Sequence, residues 1–360
     1  MSGLTRRRFW PASAFLLAQA PNVRKKARKI PRKAAGPQAA IRPDEPFDYR
    51  PMAMDPAKWD AKGVGTWMVP WFGRRVVLLT NSPRFDPAVI ARFVGRLDAG
   101  WELYADLVGQ VPRLHHHLEG RGTIAAVPGD LTCGGGCGYL GSTGIEVQYF
   151  YSDDYPLAVD QPKVFKNYYF YEMGRNYFLF SGQHSQFATG FAVFMRHVCM
   201  ELLKLDEAPG DAGAEAWIRT LEGQIGSTDL TFLRAFTMQG GLSEKELRHE
   251  KLKANQTDIY ASAMMKLRRE VGGDGWLRRF YQALAGCPEI KPDTPEGALK
   301  QGLIWYVAAS TAARRDLGML FVDRWRLPLE PETRAALADV DWGSVHPAFV
   351  LANIPVGFRF

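Results

Sequence analysis

What this sequence lacks narrows it first. Only four cysteines occur in 360 residues, too few for a disulfide-dense scaffold. No stretch approaches the ~20 continuous apolar residues that a membrane helix needs. The chain has no Gly-x-Ser-x-Gly, no phosphate-binding loop and no Gly-x-Gly-x-x-Gly set between a strand and a helix, so three common catalytic or nucleotide-binding signatures are missing. Acidic residues are absent from the first 43 positions. Eleven of the 45 Lys+Arg fall within residues 1–42, which leaves 34 basic against 38 acidic residues in the remainder. The formal charge of +7 thus describes a basic leader on a mildly acidic body. That leader has no interleaved aromatic platform, which argues against nucleic acid as a partner. At 46% apolar and 12% aromatic, the chain has ample material for a core.

The leader has its own pattern. Thr5-Arg6-Arg7-Arg8-Phe9-Trp10 resembles a twin-arginine export signal, followed by a weak apolar run that ends Ala18-Gln19-Ala20 before Pro21. The small-x-small triplet is the form a signal peptidase reads, although a Pro after the cut is unfavourable. Residues 1–20 are read as a signal and 21–50 as a basic, Pro-containing tether able to lie along an anionic surface. The expected site of action is periplasmic, cell-surface or extracellular. A disordered basic arm is the alternative.

Cys133 and Cys137 bracket three glycines, and such a loop bends enough to bring two Cα atoms within disulfide range. A Cys133–Cys137 disulfide is therefore expected, with Cys199 and Cys287 as ordinary structural cysteines.

The body reads as α+β. Val76 to Thr80 is a short buried strand. Asp86 then caps a helix with Pro87 at its first position and Ile90, Phe93, Val94, Leu97, Trp101 and Tyr104 at helical spacing, stopped by Gly109 and Pro112. Thr123 to Val127 reads as a strand, and Ile145 to Tyr151 as a half-exposed edge strand with Ile145, Val147, Tyr149 and Tyr151 on one face. From Phe165 to Phe180 eight of sixteen residues are aromatic, a helix that must run through the middle of the protein. Its charges, Glu172 and Arg175, are three apart and expected to pair, because a buried unpaired charge is expensive. A further helix spans about Phe187 to Leu205. Beyond it lie short helices at Trp217–Glu222, Leu230–Phe236, Ser243–Lys253, Thr257–Val271, Trp276–Leu284, from Pro292 through Val307, and from Pro331 through Leu337. The expected division is an α+β part over 51–205, a helical part over 206–345 and a tail over 346–360.

The central helix carries Tyr171-Glu172-Met173-Gly174-Arg175-Asn176, and the C-terminal part carries Asp316-Leu317…Phe321…Trp325…Pro328. In that order and separation these stretches resemble the gluzincin metallopeptidases of the enhancin and mucin-degrading type, whose helix reads His-Glu-x-Gly-His-Asn. The resemblance covers about residues 74–340. It implies a zincin-like sheet and central helix followed by a helical subdomain, with a substrate cleft along the edge strand. In such enzymes two histidines four apart bind zinc and the glutamate is the general base. Carried over, the base is Glu172, but the ligand positions hold Tyr171 and Arg175, and arginine has no lone pair to give. The family's third ligand, a glutamate from a later helix, is also missing: no acid occurs from Met173 to Met200.

The expectation is a metallopeptidase-like protein without zinc peptidase activity and without a cofactor. It would bind an extended peptide, glycoprotein or glycan in a cleft formed by Tyr168, Tyr171, Glu172, Arg175, Ile145, Val147, Tyr149 and His184. One alternative is a working metallopeptidase, with Glu172 catalytic and zinc held by atypical ligands from Tyr171, His184, His197 or Glu201. Another is a secreted structural domain whose cleft has closed. The triplet His115-His116-His117 is a weaker metal candidate, since adjacent histidines more often form a polar turn.

Overall fold

The structure is a computed structural model. It describes residues 47–49, 67–82, 84–127, 131–132, 135–180, 186–225, 230–236, 254–290 and 294–359. The chain divides into two units, 1–34 and 35–360, and the description concerns the second. The leader, His184, Cys133 and the predicted helix Ser243–Lys253 lie outside the described residues.

The fold is α+β, with a mixed sheet and a helical C-terminal region. The sheet contains β1 (Phe47–Asp48), β2 (Trp67–Phe72), β3 (Val76–Thr80), β4 (His117–Leu118), β5 (Arg121–Ala126), β6 (Gly136–Gly138) and β7 (Ile145–Val147). Its order is β1-β2-β3-β5-β7-β6, with β4 also on β5. β3, β5 and β7 are parallel neighbours, while β6 runs antiparallel at the end. Alternation along the strands buries both faces: Leu78, Ile124, Ile145 and Val147 face the main core, whereas Val77, Leu79, Ala125 and Val127 join a smaller cluster with Tyr49 and Met68.

The expected edge strand needs correction. Pairing of the Ile145 segment stops at Val147, and Phe150–Asp154 winds into a π-helical turn. β6 covers the outer side of β7, so Ile145 and Val147 are core residues and only Tyr149 reaches the cleft. Three glycines in a row gave β6 no strand-like pattern to read.

Helix α1 (Pro87–Val108) starts where its cap predicts, with Asp86 accepting from the N–H groups of Ala88 and Val89, and ends at Gly109 in the left-handed region. Its Asp98 carboxylate accepts the backbone N–H groups of Arg74, Arg75 and Val76 at 2.6, 2.7 and 3.1 Å, fixing the β2–β3 turn. After α2 (Tyr155–Asp160), β8 (Val164–Phe165) pairs in parallel with β9 (Asp206–Glu207). The aromatic helix α3 is therefore shorter than its composition suggests, Tyr168–Tyr177, because Phe165 belongs to a strand and Phe178 is extended. α3 lies between α1 and α4 (Gln186–Leu202). Tyr104 donates to the Phe170 carbonyl and Tyr177 to that of Trp101. Gly174 is the point where α3 and α4 meet: a Cβ there would stand 2.8 Å from Ala192 Cα.

Among the described residues the remaining α-helices are α5 (Ala214–Leu221), α6 (Phe232–Phe236), α7 (Gln256–Val271), α8 (Gly273–Ala285), α9 (Pro295–Ala313), α10 (Pro331–Ala338) and α11 (Pro347–Asn353). The stretch 346–360 thus contains a helix, and Leu329 bridges Phe358. Asp316, Phe321 and Trp325 serve the core: Asp316 accepts from Tyr306 and Gly318 N–H, Phe321 stacks on Tyr306, and Trp325 stacks on Trp305. The buried Glu222 carboxylate accepts Trp325 Nε1 at 2.7 Å and the Arg324 guanidinium, and the Glu222 N–H donates to Ser262 Oγ at 2.8 Å.

Candidate functional site

The glycine stretch decides how close the sheet comes to α3. A Cβ on Gly136 would stand 2.9 Å from Glu172 Cγ, and one on Gly138 only 2.6 Å from the Glu172 carbonyl oxygen. These glycines let backbone lie directly on Glu172, a role beyond bending a cysteine loop. Gly138 N–H donates to the Glu172 carboxylate, Gly141 N–H to the Arg175 carbonyl at 3.1 Å, and Asn176 Nδ2 reaches the carbonyls of Tyr139 and Gly144.

Beside this contact lies a cleft of about 450 Å³. Tyr149 and Tyr168 line it, together with Lys166 and the carboxylates of Asp153, Asp154, Glu172 and Asp211. Tyr149 is 44% exposed. Glu172 is only 6% exposed, and burial pushes its carboxyl up to about 7, against the opposing pull of Arg175 and the Gly138 N–H. Asp154 is 2% exposed; its Oδ2 accepts the hydroxyls of Tyr168 and Tyr169, while its Oδ1 has no hydrogen-bond partner. Burial raises its pKa against those two hydrogen bonds. Nothing in the spacing of Asp153, Asp154, Lys166 or Asp211 marked them in advance, since the π-helical turn and the β8–β9 pair bring them together.

The expected Glu172–Arg175 ion pair is replaced, among the described contacts, by a different arrangement. Arg175 Nη1 donates to Thr189 Oγ1 at 3.1 Å. Arg175 acts on Glu172 through its charge. The residues at the ligand positions do not fit zinc. Arg175 offers only donors, and burial together with the Glu172 charge raises the Tyr171 pKa, which opposes a metal-binding phenolate.

The other candidates are scattered. His197 is buried on α4, with Nδ1 3.6 Å from Glu207 Oε1, and burial lowers its pKa to about 3. Glu201 is held by both Nη atoms of Arg268, at 2.8 and 3.1 Å. The His115 ring packs on Tyr139 and on His116, which also meets Tyr49. Cys199 and Cys287 are free; the Cys133–Cys137 disulfide stays an expectation.

No family model and no curated protein matches this sequence. Solved structures give distant likenesses. A ZmpB metallopeptidase from Clostridium perfringens aligns at 14% identity and TM-score 0.44, over 84% of this chain and 56% of the other. A functionally unknown conserved protein from Bacillus anthracis str. Ames aligns at 12% identity and TM-score 0.46, over 83% and 60%. A functionally unknown conserved protein mutant from the same strain gives 11% and 0.48, over 77% and 53%. Likeness at this level assigns no activity, and the chain spans little more than half of each of those structures.

Proposed function

We propose that this is an exported, metallopeptidase-like binding protein that holds a glycan chain in the cleft beside Glu172 and does not use zinc peptidase chemistry. The observation that carries this reading is the cleft's lining: the exposed Tyr149 ring stands beside Tyr168, Asp154 with an unpartnered buried oxygen, and Glu172. Aromatic faces stack on sugar rings, and carboxylates accept hydroxyl donors. A peptide bound by strand addition has less support. β6 spans only Gly136–Gly138, and the Gly138 N–H already goes to Glu172. The alternative of a zinc peptidase with atypical ligands has less support: Arg175, at one of the positions the resemblance gives to a ligand, offers only donors and bonds Thr189.

Glycan-array screening followed by calorimetry tests the reading. Binding that is lost in Tyr149→Ala and Asp154→Asn is expected. Stoichiometric zinc together with peptide hydrolysis that Glu172→Gln abolishes would sink it. Export is tested separately: changing Arg6 and Arg7 to Lys should retain the protein inside the cell.

A further inference from the structure

The structure carries a second cluster of ligating groups away from Tyr171 and Arg175. His197 of α4, Glu207 of β9 and Glu215 in the first turn of α5 place one ligand atom each within 4.8 Å of one another. His197 is 1% exposed, and both its Nδ1 and Glu207 Oε1 are buried without a hydrogen-bond partner. Their separation is 3.6 Å, too long for a hydrogen bond. Two atoms each ~2.1 Å from a tetrahedral ion lie about 3.4 Å apart, so the gap suits a shared metal. We propose that His197, Glu207 and Glu215 bind one divalent transition-metal ion such as zinc or manganese. The proposal stands independently of the glycan reading.

The surrounding groups are consistent with this and identify what opposes it. The Gly213 N–H donates to the Glu207 carboxylate, and Asp211 adds negative charge nearby. Arg219 holds Glu215 through Oε1, which leaves the other carboxylate oxygen as the ligand the proposal would use. One imidazole and two carboxylates form a donor set that suits zinc or manganese. Two cations oppose the ion: Arg219, which bonds Glu215 and also acts on His197, and Arg196, whose Nε lies 3.3 Å from His197 Nε2. A metal on Nδ1 moves the ring proton to Nε2, so Arg196 must turn away, and the Tyr171 ring, 6.0 Å from its guanidinium carbon, offers it another face. The ion would tie α4 to β9 and α5, and thereby fix the turn that presents Asp211 to the cleft.

The experiment loads the chelator-stripped full chain with zinc or manganese, counts bound ion by mass spectrometry after dialysis, and follows cobalt substitution by its visible spectrum. One ion per chain is expected. Glu207→Gln and Glu215→Gln should each weaken affinity by about tenfold or more, and Arg196→Gln should tighten it. Glu215 sits on a surface helix, so its variant should still fold; circular dichroism checks this. Absence of binding at micromolar metal, or binding unchanged in both glutamine variants, overturns the site. Metal lost in Glu172→Gln yet retained in both glutamine variants overturns it too, and also overturns the binding-protein reading. A failed glycan screen with metal binding intact overturns only that reading.

Discussion

Arg175 Nη1 donates to Thr189 Oγ1 across 3.1 Å, joining α3 to α4, the helix that follows it.

Arg175→Met is expected to remove both the Thr189 bond and the charge that favours ionised Glu172. The loss should be about 2–4 kcal/mol, read by urea denaturation at neutral pH. A change within error would mean that Thr189 and Glu172 re-partner without cost.

The glycines give a steric series. Gly138→Ala drives a Cβ to 2.6 Å from backbone, which cannot swing aside, and should destabilise by about 2–3 kcal/mol. Gly135→Ala meets the partly exposed Tyr149 ring at 2.9 Å, which can rotate, so about 1 kcal/mol or less is expected. Equal losses would show that β6 does not lie on α3 as described.

Glu172 sets a pH dependence. Its carboxyl is raised from 4.5 to about 7 in the folded protein, so the native state binds the extra proton between these values. Stability from this group therefore falls as pH rises from about 4.5 to about 7, and the buried charge costs roughly 3 kcal/mol above that window. Glu172→Gln should be more stable than the parent at pH 8, with the difference vanishing below pH 4.5. Asp154 shifts the same way but is present in both proteins, so comparing their denaturation curves isolates Glu172. Parallel pH profiles would refute the assignment.

Tyr149→Ala should separate binding from folding. The ring is half in solvent, so thermal stability should move by less than about 1 kcal/mol, while ligand affinity should fall at least about tenfold if the ring stacks on a sugar. Unchanged affinity, measured by calorimetry, would remove Tyr149 from the site.

Much of the frame was legible because local signals agreed with the tertiary outcome. Asp86, Pro87 and Gly109 bounded α1 to the residue, and Val76–Thr80 read as the strand it forms. β2, with Pro70 inside Trp67–Phe72, was not legible, nor was β6, whose glycines are chosen for close approach instead of strand propensity. The cleft was half legible. Tyr149, Tyr168 and Glu172 came from the motif and its neighbours, whereas Asp154 and Asp211 reach it only through a π-helical turn and a two-residue parallel pairing that no short-range pattern encodes. Thr189 was invisible for a similar reason: its importance lies in what stands opposite it across two helices.

Glu222 has a consequence for how the polypeptide can be divided. Its carboxylate closes a loop of about a hundred residues by receiving Arg324 and Trp325. A fragment ending before that pair would leave a negative charge sealed in the interior with its donors deleted. Limited proteolysis should therefore release no stable piece terminating between 222 and 325, and any halving of the chain within that span would have to be rescued by supplying the missing strand of sequence in trans.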